Sequence, residues 1–249
     1  MTKVFVHGNP ETRAVWDVLF RELESRGVRD LVALEPPGFG APVPDGWGAT
    51  QDEYASWLVS ELKAIGGDID LVGHDWGAGH VFGALVRAPG IVRTWAADCA
   101  GLMHPDYVWH DAAQGWQTDG VGEQMVDAIT GMTPDDFAAV MGPLGMGEGT
   151  AHSVSQDLDE ATARCILALY RSAAQPAMRR LGEKFGQARP RNGLVIVAEN
   201  DHYTGTQAMH EEVASWSGAT VRHIPGAGHW WMVEKPDVAA GILTAHWAR

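Results

Sequence analysis

Five residues constrain this chain more than any others: Gly73-His74-Asp75-Trp76-Gly77, led into by the apolar pair Leu71-Val72 and ahead of the helical pattern Ala78–Val86. Glycines two places before and two places after a polar residue, between a strand and a helix, describe a nucleophile elbow. The turn is so tight that side chains at the flanking positions would clash with backbone. The centre of such a turn is usually serine. Here it is Asp75. A carboxylate attacks an alkyl carbon to give an alkyl ester, and is a poor nucleophile for ordinary esters or amides.

The elbow needs a strand before it and a helix after it, and the chain supplies this alternation throughout. Strands are expected at Lys3–His7, Leu31–Leu34, Ile69–Gly73, Val92–Ala97, Leu194–Ala198 and Thr220–Ile224. Helical spacing covers Glu11–Arg26, Thr50–Ile65, Ala78–Val86, Gln207–Ser217 and Pro236–Trp247. Alternation of this kind predicts a mostly parallel sheet covered by helices on both faces. Residues 103–188 break the pattern. They carry helical stretches, among them Asp159–Ala174 and one capped by Thr133-Pro134, with no convincing strand. The expected organisation is therefore a core of residues 1–102 and 189–249 with a helical cap, 103–188, over the carboxyl ends of the strands. The Gly- and Met-rich segment Gly142–Gly149 reads as a mobile loop of that cap.

Three further elements follow the elbow's logic. His7-Gly8-Asn9-Pro10 follows the first strand, where a backbone N–H for an oxyanion hole is expected; Trp76, after the nucleophile, supplies the other. Asp201 follows the Leu194–Ala198 strand, at the position of a triad acid. His229 sits in Gly226-Ala227-Gly228-His229-Trp230 after the last strand, at the position of the base. Nucleophile, acid and base thus occur in the order expected for this architecture. Asp98, at the end of the Val92–Ala97 strand, is a rival for the acid.

With these residues in place the chain resembles the α/β-hydrolase superfamily, and within it the aspartate-nucleophile branch of epoxide hydrolases and haloalkane dehalogenases. The resemblance implies an Asp75–His229–Asp201 triad acting through an alkyl–aspartyl ester, without a cofactor or metal. The chain departs from the family in having no strand hairpin ahead of Lys3. Asn9 followed by Trp76 looks like the halide-binding pair of dehalogenases. Val72-Gly73-His74-Asp75-Trp76-Gly77 and Tyr170-Arg171 look like epoxide hydrolases, in which a cap tyrosine protonates the epoxide oxygen. Tyr170 is the leading candidate for that acid, with Tyr107 behind it. The reading favours an epoxide hydrolase; a haloalkane dehalogenase is the alternative, and a non-catalytic homologue that holds an apolar ligand is a third.

Composition narrows the partners. The net charge of −14 disfavours nucleic acid and anionic membranes. No apolar stretch is long enough for a bilayer span. The start of the chain lacks a signal-peptide pattern, and Cys99 and Cys165 have no metal spacing, which fits a reduced cytoplasmic setting. Eleven tryptophans and the Trp-, Met- and Leu-rich insertion point to a small, apolar, uncharged substrate.

Overall fold

The computed structural model describes residues 1–248. Six parallel strands form one sheet: β1 (Thr2–Val6), β2 (Leu31–Leu34), β3 (Ile69–Gly73), β4 (Thr94–Ala97), β5 (Gly193–Ala198) and β6 (Thr220–Ile224). Their order is β2-β1-β3-β4-β5-β6. The chain reverses direction across the sheet between β1 and β3, so the crevice at their carboxyl ends is the place such a fold leaves for a ligand. Both loops singled out by the sequence, Gly8-Asn9-Pro10 and the elbow, leave from that crevice.

Every strand is covered on both faces, and the side chains divide with period two. Val4, Val6, Leu71, Trp95, Ala97, Val195 and Val197 join one core. Phe5, Val72, Ala96, Leu194 and Ile196 join the other. The helices α1 (Asp17–Ser25), α2 (Gln51–Ile65) and α3 (Trp76–Arg87) alternate with the first strands. α2 opens with a full capping box, Thr50 and Glu53 each satisfying the other's backbone.

Between β4 and β5 the chain is helical: α4 (Asp111–Gln117), α5 (Val121–Thr130), α6 (Pro134–Met141), α7 (Glu148–Ser155), α8 (Glu160–Ala173) and α9 (Ala177–Ala188). The last behaves differently from the rest. Phe185 of α9 is fully buried and packs edge-on against Phe82 of α3 and Trp95 of β4. The chain closes with α10 (Gln207–Ser217), α11 (Trp231–Glu234) and α12 (Pro236–Trp247). Among the described residues no helix is long and apolar enough to cross a membrane.

Two expectations are corrected. The helix expected over Glu11–Arg26 begins late: Thr12 caps a single tight turn at Arg13–Trp16, and α1 follows. Glu11 is left outside the helix and turned fully inward. Gly142–Gly149 is not an open loop. Gly142–Met146 forms a wide helical turn, permitted by Gly145 at φ 114°, and Met146 is fully buried. α7 then starts at Glu148.

Candidate active site

The elbow is built as its glycines require. Asp75 has φ 51° and ψ −122°, a strained conformation for a non-glycine residue. A side chain on Gly77 would bring its Cβ to 2.1 Å from the Val6 carbonyl oxygen. A Cβ on Gly8 would lie 2.0 Å from Asp75 Oδ1. Asp75 and the loop after β1 therefore touch because Gly8 carries no side chain, and α3 sits against β1 because Gly77 carries none.

Asp75 meets two groups. Its Oδ1 accepts a hydrogen bond from the backbone N–H of Asn9 at 2.9 Å. Its Oδ2 lies 3.6 Å from His229 Nε2. His229 Nδ1 is 2.8 Å from Asp201 Oδ2. Asp201 is fixed in turn, its Oδ1 accepting from the Tyr203 N–H at 2.8 Å. Burial alone would lower the His229 pKa, but the Asp201 carboxylate and its hydrogen bond, with Asp75 adding, lift it to about 9. Asp201 moves the opposite way: burial would raise it, and the His229 charge holds it well below the usual carboxylate range. Burial raises the Asp75 carboxyl, opposed by His229.

Asp98 is placed elsewhere. Its Oδ2 lies 2.5 Å from His74 Nδ1 and accepts from the Trp231 indole at 2.6 Å. Its Oδ1 accepts from the backbone N–H of Asp75 at 3.0 Å. Asp98 thus supports the elbow from beneath, and Asp201 is the carboxylate bonded to His229.

A cavity of about 220 Å³ opens above Asp75. Asn9, His229, Tyr170, Tyr203 and His110 line it beside a wall of Trp116, Ile129, Met132, Phe137, Met141 and Leu144. Tyr170, on α8, is buried and packs edge-on against Trp76, with ring centroids 5.2 Å apart. Burial, with the nearby Asp75 charge, keeps its hydroxyl protonated far above its ordinary range. The Trp76 side chain works against that shift through a hydrogen bond to the phenol. Asn9 is 6% exposed, and neither its side-chain oxygen nor its nitrogen has a partner. Tyr107 is not a lining residue: its hydroxyl donates to the Tyr203 carbonyl at 2.7 Å.

Sequence reasoning missed three residues here. Tyr203 stands edge-on to His229, with centroids 5.4 Å apart. His110 caps α4 through its Nδ1 and turns its ring to Tyr203. Glu11 lies under the elbow. The signal available for Glu11 was its place directly after the His-Gly-Asn-Pro loop, which a helical reading of Glu11–Arg26 obscured.

The profile of the alpha/beta hydrolase family matches residues 4–242, and the chain belongs to that family. Among solved structures it is similar to a loop variant of the haloalkane dehalogenase DbeA from Bradyrhizobium elkanii. The two are 20% identical over 99% of this chain and 90% of the other, with a TM-score of 0.75. It is similar to E-2-(acetamidomethylene)succinate hydrolase at 17% identity, over 100% and 91% of the chains, with a TM-score of 0.75. A thermophilic esterase from Thermogutta terrifontis is 19% identical over 100% and 89%, with a TM-score of 0.72. At these identities the likeness concerns the fold. No match was found among curated proteins.

Proposed function

We propose that the protein is a cofactor-free hydrolase that opens an epoxide to a vicinal diol through an ester on Asp75. The observation that carries this reading is Tyr170. A buried phenol that keeps its proton lines the same small cavity as the nucleophile. An epoxide has no leaving group to expel and needs an acid at its oxygen as the ring opens. The helices α4–α8 act in this reading as the lid that brings the acid, and the apolar wall selects an uncharged substrate.

Asp75 Oδ2 attacks a ring carbon, the carbon–oxygen bond breaks, and the oxygen takes the Tyr170 proton. The proton that His229 carries at rest then restores the phenol and leaves His229 neutral. His229 Nε2 takes a proton from water, whose oxygen attacks the ester carbonyl carbon of Asp75. Negative charge develops on Oδ1, where the Asn9 N–H already donates and the Trp76 N–H, first in α3, is the second donor. The tetrahedral intermediate collapses with cleavage of the bond to Oδ2, which leaves in the diol and takes the remaining proton of the attacking water. His229 ends protonated and Asp75 ionised, as at the start. Asp201 orients the ring and stabilises the imidazolium.

A single turnover of styrene oxide in heavy-oxygen water tests this. The first diol should carry unlabelled oxygen from Asp75; solvent label in that diol would rule out the ester. His229→Gln should retain the added mass of the substrate on the intact protein.

Asn9 favours a second reading, haloalkane dehalogenation. Its unpartnered amide faces the cavity beside Asp75, where a departing halide needs a donor. Two variants separate the readings. Epoxide opening should fall by about 10²–10⁴-fold in Tyr170→Phe and stay within a few-fold in Asn9→Ala. Halide release from bromoalkanes would show the reverse. Ligand binding that survives Asp75→Ala, with neither product formed by the wild type, would instead indicate a binding protein.

A further inference from the structure

Glu11 is fully buried and has three buried partners. Its Oε2 accepts from the Gly8 N–H at 3.0 Å. Its Oε1 accepts from the Trp230 indole at 2.7 Å and lies 3.1 Å from His74 Nε2. These three partners belong to three separate segments: the loop after β1, the elbow, and the loop that carries His229.

His74 is flanked by carboxylates on both ring nitrogens, Glu11 on one side and Asp98 on the other. Carboxylates accept and do not donate, so both nitrogens carry protons and the ring is an imidazolium. Glu11, His74 and Asp98 therefore form a row of alternating charge beneath the nucleophile. Charges this deep contribute little net stability, because desolvation offsets their attraction. Their value lies in what they fix. Gly8 is bonded directly to Asn9, whose N–H reaches Asp75 Oδ1. Trp230 is bonded directly to His229.

We propose that Glu11 is a positioning residue for the second half of the reaction, holding the Asn9 N–H and His229 in register while the ester on Asp75 is hydrolysed. The proposal rests on the alkyl-ester reading above. Alkylation uses Asp75 Oδ2 and Tyr170, and Glu11 bonds to neither. Hydrolysis needs the oxyanion donor and the base at the same moment, and Glu11 bonds to the neighbour of each. The charged and titratable groups around Glu11 are His74, His7 and His229, with Asp75 and Asp98 beyond them.

Two variants test it. Glu11→Gln keeps the shape but turns an N–H toward either Gly8 N–H or the Trp230 and His74 donors, so at least one tie is lost. Glu11→Asp keeps the charge and loses the reach. Each is mixed with styrene oxide, and the two half-reactions are followed by rapid quench and intact mass. Hydrolysis should slow at least about tenfold and alkylation by less than about threefold, so that ester accumulates, as expected for a misplaced oxyanion donor. Amide hydrogen exchange at Asn9, read by NMR without substrate, should quicken at least about tenfold, in keeping with local opening. Equal slowing of both half-reactions would overturn the proposal, as would no slowing of either. An effect in Glu11→Gln with none in Glu11→Asp would overturn it too, since charge alone would then suffice. Unchanged Asn9 exchange in both variants refutes the positioning role whatever the kinetics. If His229→Gln also retains no substrate mass, the ester reading has failed, and the exchange experiment alone decides the role of Glu11.

Discussion

Three carboxylates under the crevice are paired with two histidines. Asp201 serves His229, and Asp98 shares His74 with Glu11. For His229 this fixes a pH response. Its pKa of about 9 reflects Asp201 and Asp75 outweighing burial. In the proposed reaction esterification would remove the Asp75 charge, so the His229 pKa would fall in the intermediate and the neutral base would form more readily. Single-turnover hydrolysis of the trapped ester should therefore rise with pH through a midpoint below about 9 and then level. A midpoint at or above 9 would show that Asp75 does not raise His229. That Asp75, His229 and Asp201 would meet at one end of the sheet was legible in the sequence, because each lies in the loop that follows a strand. The choice between Asp98 and Asp201 was not, because both follow strands; only the turn of each side chain toward one imidazole or the other separates them.

Elements set the clearances that these residues need. Gly77, in the first turn of α3, passes so close to β1 that a methyl group would overlap the Val6 carbonyl. Gly77→Ala should destabilise the protein by about 3 kcal/mol or more, since backbone cannot yield as a side chain can. Thermal or chemical unfolding measures it, and a cost below 1 kcal/mol would contradict the described elbow. Met146 closes the wide turn after α6 and belongs to the core on one face of the sheet. Met146→Ala should cost about 2–5 kcal/mol in the same measurement. The glycine and methionine content of that segment suggested mobility. Composition alone does not show that Gly145, at positive φ, turns the chain so that Met146 points inward. The first helix failed for a related reason: the spacing of Val15, Leu19 and Leu23 is helical, but nothing in that spacing says that Glu11 faces the elbow.

At the scale of the molecule, alternation of strands and helices made the parallel sheet legible, and the break in alternation coincides with the helices between β4 and β5. The packing of those helices was not legible. Tyr107 and His110 lie three residues apart, and only the docking of α4 decides which enters the cavity. Phe185 illustrates the same point: α9 lies in the helical stretch, yet rests on α3 and β4. Phe185→Ala should lower stability by about 3–5 kcal/mol, read in equilibrium unfolding. Stability should also follow the His229 proton. A histidine whose folded pKa is raised from 6.5 to about 9 contributes fully below pH 6.5, and the contribution is lost as the pH rises through 9. The melting temperature should thus fall more steeply over that interval in wild type than in His229→Gln.

Trp230 and Trp231 are neighbours in sequence, yet their indole N–H groups point to different buried carboxylates, Glu11 and Asp98. Two adjacent side chains seated in two separate acceptors act as a vernier. A slip of the loop by one residue would bring His229 or Met232 to one of the two acceptors in place of a tryptophan. The pair also places two fluorophores against the charges beneath Asp75, so a change in those charges during the proposed reaction should register in the protein's own tryptophan emission, with no added dye.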